Sequence, residues 1–218
     1  MSCVIIKDMP LPELSVKEAL RYVGCKKEDP QLSALASTCH DILIKHMTPR
    51  VCYIVCPLTV KNDTCTVFDY PICSHHLAKH LNGCNSVMLF AATLGSDADR
   101  TIARYSSSEP SRAVMLQAVA TAAIESVCDS FLNGFAQSNG LVLRTRFSPG
   151  YGDLPLEAQA AFFKLSDPKR IGLYLTDSLM LTPTKSVTAF VGVQQGQACN
   201  GTTKNKCDGC TLLCSFRS

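Results

Sequence analysis

Apolar residues recur at helical spacing at Leu32, Leu35, Ala36, Cys39, Ile42 and Leu43, between an Asp29-Pro30 start and a Thr48-Pro49 stop. This predicts a helix with Asp29 as its N-cap and Pro30 in its first turn. Upstream, Ser15 to Glu18 reads SVKE, a capping box that opens a shorter helix ending near Gly24. The stretches VCYIVCPLTV and CTVFDYPI read as strands joined by the turn residues Asn62 and Asp63. SHHLAKHLNG is a short helix, with Ser74 as cap and Gly83 just past its end. SVMLFAATLG reads as a buried strand ending in a glycine turn, after which Asp97 starts a helix. The longest helical signal covers residues 111–137 and is rich in alanine, which allows close approach to a neighbouring helix or sheet. LVLRTRF follows as a strand, then a short helix over 156–164 and a break at Pro168. IGLYL and KSVTAFVGV read as strands flanking TDSLMLTPT.

This order is no regular βαβ alternation. It predicts an α+β fold: an antiparallel or mixed sheet with helices packed mainly on one side, plus a cysteine-rich C-terminal tail. The 218 residues divide into a main unit over 1–196 and a tail over 197–218 with little pattern of its own. A net charge of +3, with no basic run and no aromatic interleaving, gives no reason to expect a nucleic-acid partner. Nor does any window hold about 18 consecutive apolar residues, and the N-terminus lacks the pattern of a signal peptide. The expectation is a cytoplasmic protein that does not enter a membrane.

The 13 cysteines, odd in number and scattered through apparent helices and strands, fit reduced thiols, mostly packed as small apolar residues. The last four are different. Cys199, Cys207, Cys210 and Cys214 stand at short intervals among residues suited to tight turns, a spacing that can close around zinc or an iron–sulfur cluster. A disulfide pair is the plainer alternative. His76 and His80 share a helix face beside His75, but no glutamate follows in a metalloprotease arrangement, and a surface helix accounts for them.

The loop RFSPGYGDLPLEAQ, residues 146–159, holds the most specific chemistry. Arginine presents a planar fork that grips a carboxylate with two parallel hydrogen bonds. Glycine lets the backbone approach a flat or bulky ligand, and tyrosine offers an aromatic face that attracts a cation. S-adenosylmethionine carries a carboxylate, a positive centre and a planar base, and would use all three. The residues by themselves favour a plainer reading, a tight proline-glycine turn with an exposed arginine.

Arg146, Pro149, Gly150 and Tyr151, following a strand, are similar to the Arg-x-x-Pro-Gly-Tyr motif of the activation domain of cobalamin-dependent methionine synthase. Further on, Leu175, Thr176, Asp177, Ser178, Pro183, Ser186 and Val187 resemble that family's second motif. The likeness is best over residues 85–193. It departs from the fused domain after Tyr151, where GDLPLEAQ replaces a cysteine and a histidine. The chain also has no Asp-x-His-x-x-Gly cobalamin motif, so it looks like a free-standing form of the domain.

The resemblance implies S-adenosylmethionine as ligand and a cobalamin-dependent methionine synthase, or another corrinoid methyltransferase, as partner. The implied role is reactivation: one-electron reduction of an oxidised corrinoid, typically by flavodoxin, coupled to methyl transfer from S-adenosylmethionine. The competing expectation is a non-catalytic iron–sulfur or zinc accessory protein of corrinoid enzymes. Cofactor contacts are expected from Arg146, Pro149, Gly150 and Tyr151. Glu125, on the alanine-rich helix, either meets the ligand amino group or pairs with Arg144 or Arg146. Asp153 either binds ribose hydroxyls or the ammonium, or caps the helix near Leu156. Ser178 and Ser186 either touch the ligand or serve as strand ends, and Lys185 reads as a solvated lysine unless it attracts a corrin side chain.

Overall fold

The computed structural model describes residues 3–13, 15–25 and 29–195. The tail cysteines Cys199, Cys207, Cys210 and Cys214 lie outside these residues. Its frame is one antiparallel sheet, built from β1 (Ile5–Asp8), β2 (Arg50–Lys61), β3 (Thr64–Val67), β4 (Tyr70–Cys73), β5 (Ser86–Thr93), β6 (Leu141–Leu143) and β9 (Ser186–Gln195). The order is β4-β3-β2-β5-β9-β6, with β1 pairing the first half of β2 while β3 pairs its second half. Strands β7 (Tyr174–Leu175) and β8 (Leu181–Thr182) form a separate two-stranded hairpin. The fold is α+β, as the interrupted pattern predicts.

Helices α1 (Val16–Tyr22), α2 (Pro30–Leu43), α4 (Ser96–Ser108) and α5 (Pro110–Asn139) pack on one face of the sheet. The shorter α3 (His75–Leu81) and α6 (Ala158–Ser166) cover the other. Strand alternation divides the two cores: Met88, Phe90 and Ala92 face α5, whereas Val87, Leu89 and Ala91 face α3 and α6. Seven of the eight residues of β5 are therefore buried, as expected of a central strand covered on both sides. The sequence signals for helix starts lie at the helix starts: Ser15 accepts from the Glu18 amide, Asp29 from those of Gln31 and Leu32, and Ser74 from that of Leu77.

α5 carries the larger core. Its alanines at 113, 118, 120, 122 and 123 are buried, and Phe131 stacks on Phe90 of β5 with ring centroids 5.3 Å apart. By length and composition it could cross a membrane, but 61% of its most apolar window is buried within the fold. It is a core helix.

Three predicted strands are shorter than their patterns. CTVFDYPI breaks into β3 and β4 because Phe68 takes a left-handed turn conformation, φ 51°. LVLRTRF leaves the sheet after Arg144, whose N–H donates to Gly192 O at 2.8 Å, and touches β9 again at the Phe147 to Phe190 bridge. IGLYL is strand only at Tyr174 and Leu175, because Ile171 closes the 3-10 turn Pro168–Ile171 and Gly172 follows it at φ 79°.

Phe90 is wholly buried and central to the α5-facing core. Phe90→Ala should lower stability by about 3–5 kcal/mol, seen as a lower denaturant midpoint with an unchanged slope. A loss below about 1 kcal/mol would mean that the α5 core is not packed as described.

Candidate functional site

The site begins where the sheet stops. β6 pairs with only the last residues of β9, Val193 to Gln195, and Phe147 reaches back to Phe190. Phe190 uses its own N–H and C=O for that bridge, at 2.8 and 3.0 Å. Strand parity turns the main-chain groups of Thr188 and Ser186 toward the same edge. Among the described residues no strand pairs with that edge between residues 186 and 189. The opening is a cleft of about 1040 Å³, lined by α5, the 143–151 segment, Gln159, Leu181 and residues 186–188 of β9. Its size is at the upper end of small-molecule sites.

Arg146 and Phe147, successive residues, turn to opposite faces. Phe147 packs with the α6-side core, while Arg146 reaches α5. Its Nη2 donates to Glu125 Oε2 at 2.6 Å and to Asp129 Oδ1 at 2.9 Å. The arginine side chain is 13% exposed, and the two carboxylates are more open to the cleft. Burial works against the guanidinium charge, but its surroundings outweigh this and raise its pKa above the ordinary value. Cys128 lies alongside, with its thiol pushed up to about 12 by burial. It is therefore neutral at neutral pH, and the two carboxylates hold the arginine. One cation and two anions leave this wall net negative.

Of the alternatives for Glu125, pairing with Arg146 is the one seen; the expected exposed arginine is instead a nearly buried one. Glu125, Arg146, Pro149, Tyr151 and Ser186 come together on the cleft. Tyr151 sits at its lip, 59% exposed, and Ser186 Oγ donates to Thr93 Oγ1 at 2.8 Å. Gly150, Asp153 and Ser178 do not line it. Gly150, at φ 88°, shapes the loop and donates its N–H to Leu154 O. Ser178 lies in the β7–β8 turn, 3.0 Å from Thr176 Oγ1. Lys185 is not a solvated lysine: it is half-buried, donates to Thr121 Oγ1 on α5 at 3.0 Å, and has its pKa lowered by burial.

Asp153 caps a helix, but not the one expected. Its carboxylate accepts from Ser74 Oγ and from the His75 and His76 amides, at the start of α3 rather than α6. The loop is thus tied to a segment more than seventy residues upstream. Gly152, at φ 57°, fits against that helix, where a Cβ would come within 2.4 Å of His76 Nδ1. The histidines of α3 are engaged as well. His75 Nδ1 lies 2.8 Å from Asp63, and His80, half-buried, donates from Nε2 to Thr145 O at 2.8 Å. Among the described residues no cluster of three metal-ligating side chains occurs.

Asp129, Asn133, Gln159 and Thr188 were not anticipated. Glu125, Asp129 and Asn133 recur every four residues, a polar stripe legible on an otherwise small and apolar helix. Gln159 and Thr188 are polar residues inside apolar patterns, and the pattern alone does not show which face carries them.

No family model and no curated protein matches the chain. Among solved structures, its fold is similar to that of the crystal structure of the MetH reactivation domain bound to AdoHcy, with a TM-score of 0.63. The match covers 87% of this chain and 78% of that one at 16% identity, which makes it a likeness of fold.

The Asp153 carboxyl is held at a pKa of about 2, first by the Ser74 hydroxyl and then by the His76 and His75 amides, against an ordinary value of 3.8. A depressed carboxyl stabilises the fold above its unfolded pKa and loses that contribution as pH falls through the folded value. Asp153→Asn should therefore be less stable than the parent at pH 7, with the difference shrinking between about pH 4 and pH 2. Equal denaturant midpoints at pH 7 would show that the cap contributes nothing.

Proposed function

We propose that this chain binds S-adenosylmethionine in the sheet-edge cleft and serves the reactivation of a corrinoid held by a separate cobalamin-dependent methyltransferase, methionine synthase first among them. The observation that carries the reading is the Arg146–Glu125–Asp129 cluster on the wall of a roomy cleft, within the loop whose motif resembles the activation domain. Similarity of fold to a reactivation domain that binds AdoHcy supports it.

The residues fit such a ligand. Both bonds from Arg146 to α5 use Nη2, which leaves Nη1 to donate to a ligand carboxylate. The Glu125 and Asp129 carboxylates give the ammonium and sulfonium groups a negative wall, and Tyr151 offers a ring at the lip. Bound there, S-adenosylmethionine supplies a methyl group and the partner's corrinoid accepts it. This chain's part is to hold and orient the donor toward an approaching partner, an effect of proximity. An electron donor such as flavodoxin completes the reaction, and the hard chemistry stays with the cofactors.

Titration calorimetry with S-adenosylmethionine tests the binding step. Arg146→Ala and Arg146→Lys should each weaken it by at least about tenfold, because the lysine keeps the charge but not the fork. Tyr151→Phe should matter much less than Tyr151→Ala. No binding by the parent protein would end this reading. For the role itself, the protein, a reductant and S-adenosylmethionine should convert an oxidised corrinoid methyltransferase to its methylated form. Methyl transfer to a small thiol without any corrinoid would overturn that role.

A further inference from the structure

Gln159 is 5% exposed, yet it lines the cleft. It comes from α6, where its neighbours Ala158, Ala161 and Phe162 are buried against the sheet. Thr188, 2% exposed, donates from Oγ1 to Gln159 Oε1 at 2.9 Å and so fixes the amide. Among the described residues the amide nitrogen meets no acceptor. It is not sealed in either, since Arg112 Nε is the one fully enclosed side-chain polar atom there without a partner. The space open to it is the cleft. An amide donor left without a protein acceptor at the cleft is one that a bound ligand can satisfy.

Its position says which part of a ligand. Thr188 and Phe190 project from the same side of β9, toward α6, whereas Val187, Ala189 and Val191 face α5. The ionic cluster of Glu125, Asp129 and Arg146 therefore stands on one wall and the Gln159–Thr188 pair on the other, across the open edge of β9. α6 itself brings no charge to this wall, only an amide, with the outward main-chain groups of Thr188 beside it; Arg144 lines the cleft farther along β9, against Gly192. The α6 wall suits a neutral, flat group bearing ring nitrogens and hydroxyls. Resting on S-adenosylmethionine as the ligand, the geometry points to Gln159 as the residue that reads its nucleoside, donating from Nε2 to an acceptor of the purine or ribose. Thr188 is the positioning residue that holds the amide.

Two variants and two probes test this by calorimetry. Gln159→Met keeps the volume and removes the donor. Gln159→Glu keeps an oxygen for Thr188 and replaces the donor with an acceptor. The second probe is 5′-methylthioadenosine, which retains the nucleoside but lacks the amino-acid carboxylate and ammonium. Both Gln159 variants should bind S-adenosylmethionine and methylthioadenosine about tenfold more weakly, by the same factor for each probe. Arg146→Ala should lose S-adenosylmethionine affinity alone. Thr188→Val should show a smaller loss on both probes. Parent-like binding of methylthioadenosine by either Gln159 variant would overturn the assignment, as would no measurable binding of that probe by a parent that binds S-adenosylmethionine. If the parent binds neither probe, this assignment and the proposed function fall together. Thermal melting of each variant separates lost contacts from lost folding.

Discussion

A guanidinium that is nearly buried must have anions around it, because an unpaired charge there costs several kcal/mol. Arg146 meets that demand only by reaching α5, where Glu125 and Asp129 stand one turn apart. The ion cluster thereby ties a loop that has left the sheet to the helix that carries the main core. It also fixes the direction of the chain: with Arg146 turned to α5, Phe147 must turn to the opposite core, and its main chain bridges Phe190. Farther along, Asp153 secures the same loop to α3. Held at both ends, the segment between them carries Pro149 and Tyr151 into a defined place at the cleft.

That arrangement depends on a sheet left unfinished. An exposed strand edge invites pairing with another chain, and folds usually cover it. Here β6 covers only the end of β9, and the uncovered part is flanked by α5 on one face and by α6 with its preceding loop on the other. A three-residue strand leaves the remaining edge to face a cleft instead of a partner strand. The walls are helices already fixed by packing, so side chains that line the cleft sit on supports that do not depend on a ligand.

Much of the framework was legible because it rests on local rules. Ser15, Asp29 and Ser74 mark helix starts through bonds to amides two or three residues away. The buried run of β5 and the alanine-rich α5 follow from composition and period. What was not legible depends on distant partners. Asp153 lies five residues before α6 and reads as its cap, yet its amides come from His75 and His76. Glu125 was weighed as a partner of Arg146, but Asp129 was not, since nothing local requires one guanidinium to hold two carboxylates. The early end of β6 and the turn at Phe68 are likewise tertiary outcomes, for residues 144–147 and 68 have strand-compatible patterns.

The two walls of the cleft differ for reasons that lie in the fold. α5 is long, and its middle is a core helix, so the polar residues it gives the cleft stand along the stripe that emerges at the sheet edge: Glu125, Asp129 and Asn133. Carboxylates are tolerated there because they are partly exposed and share Arg146. α6 is short and lies flat on the opposite core, where a charge would have neither solvent nor a counterion. A neutral amide is what such a wall can hold, and only with a fixed partner, which Thr188 provides. A sheet edge between one long helix at its margin and one short helix on its face therefore yields a site that is ionic along α5 and uncharged along α6. A ligand with a charged end and a flat uncharged end matches that division.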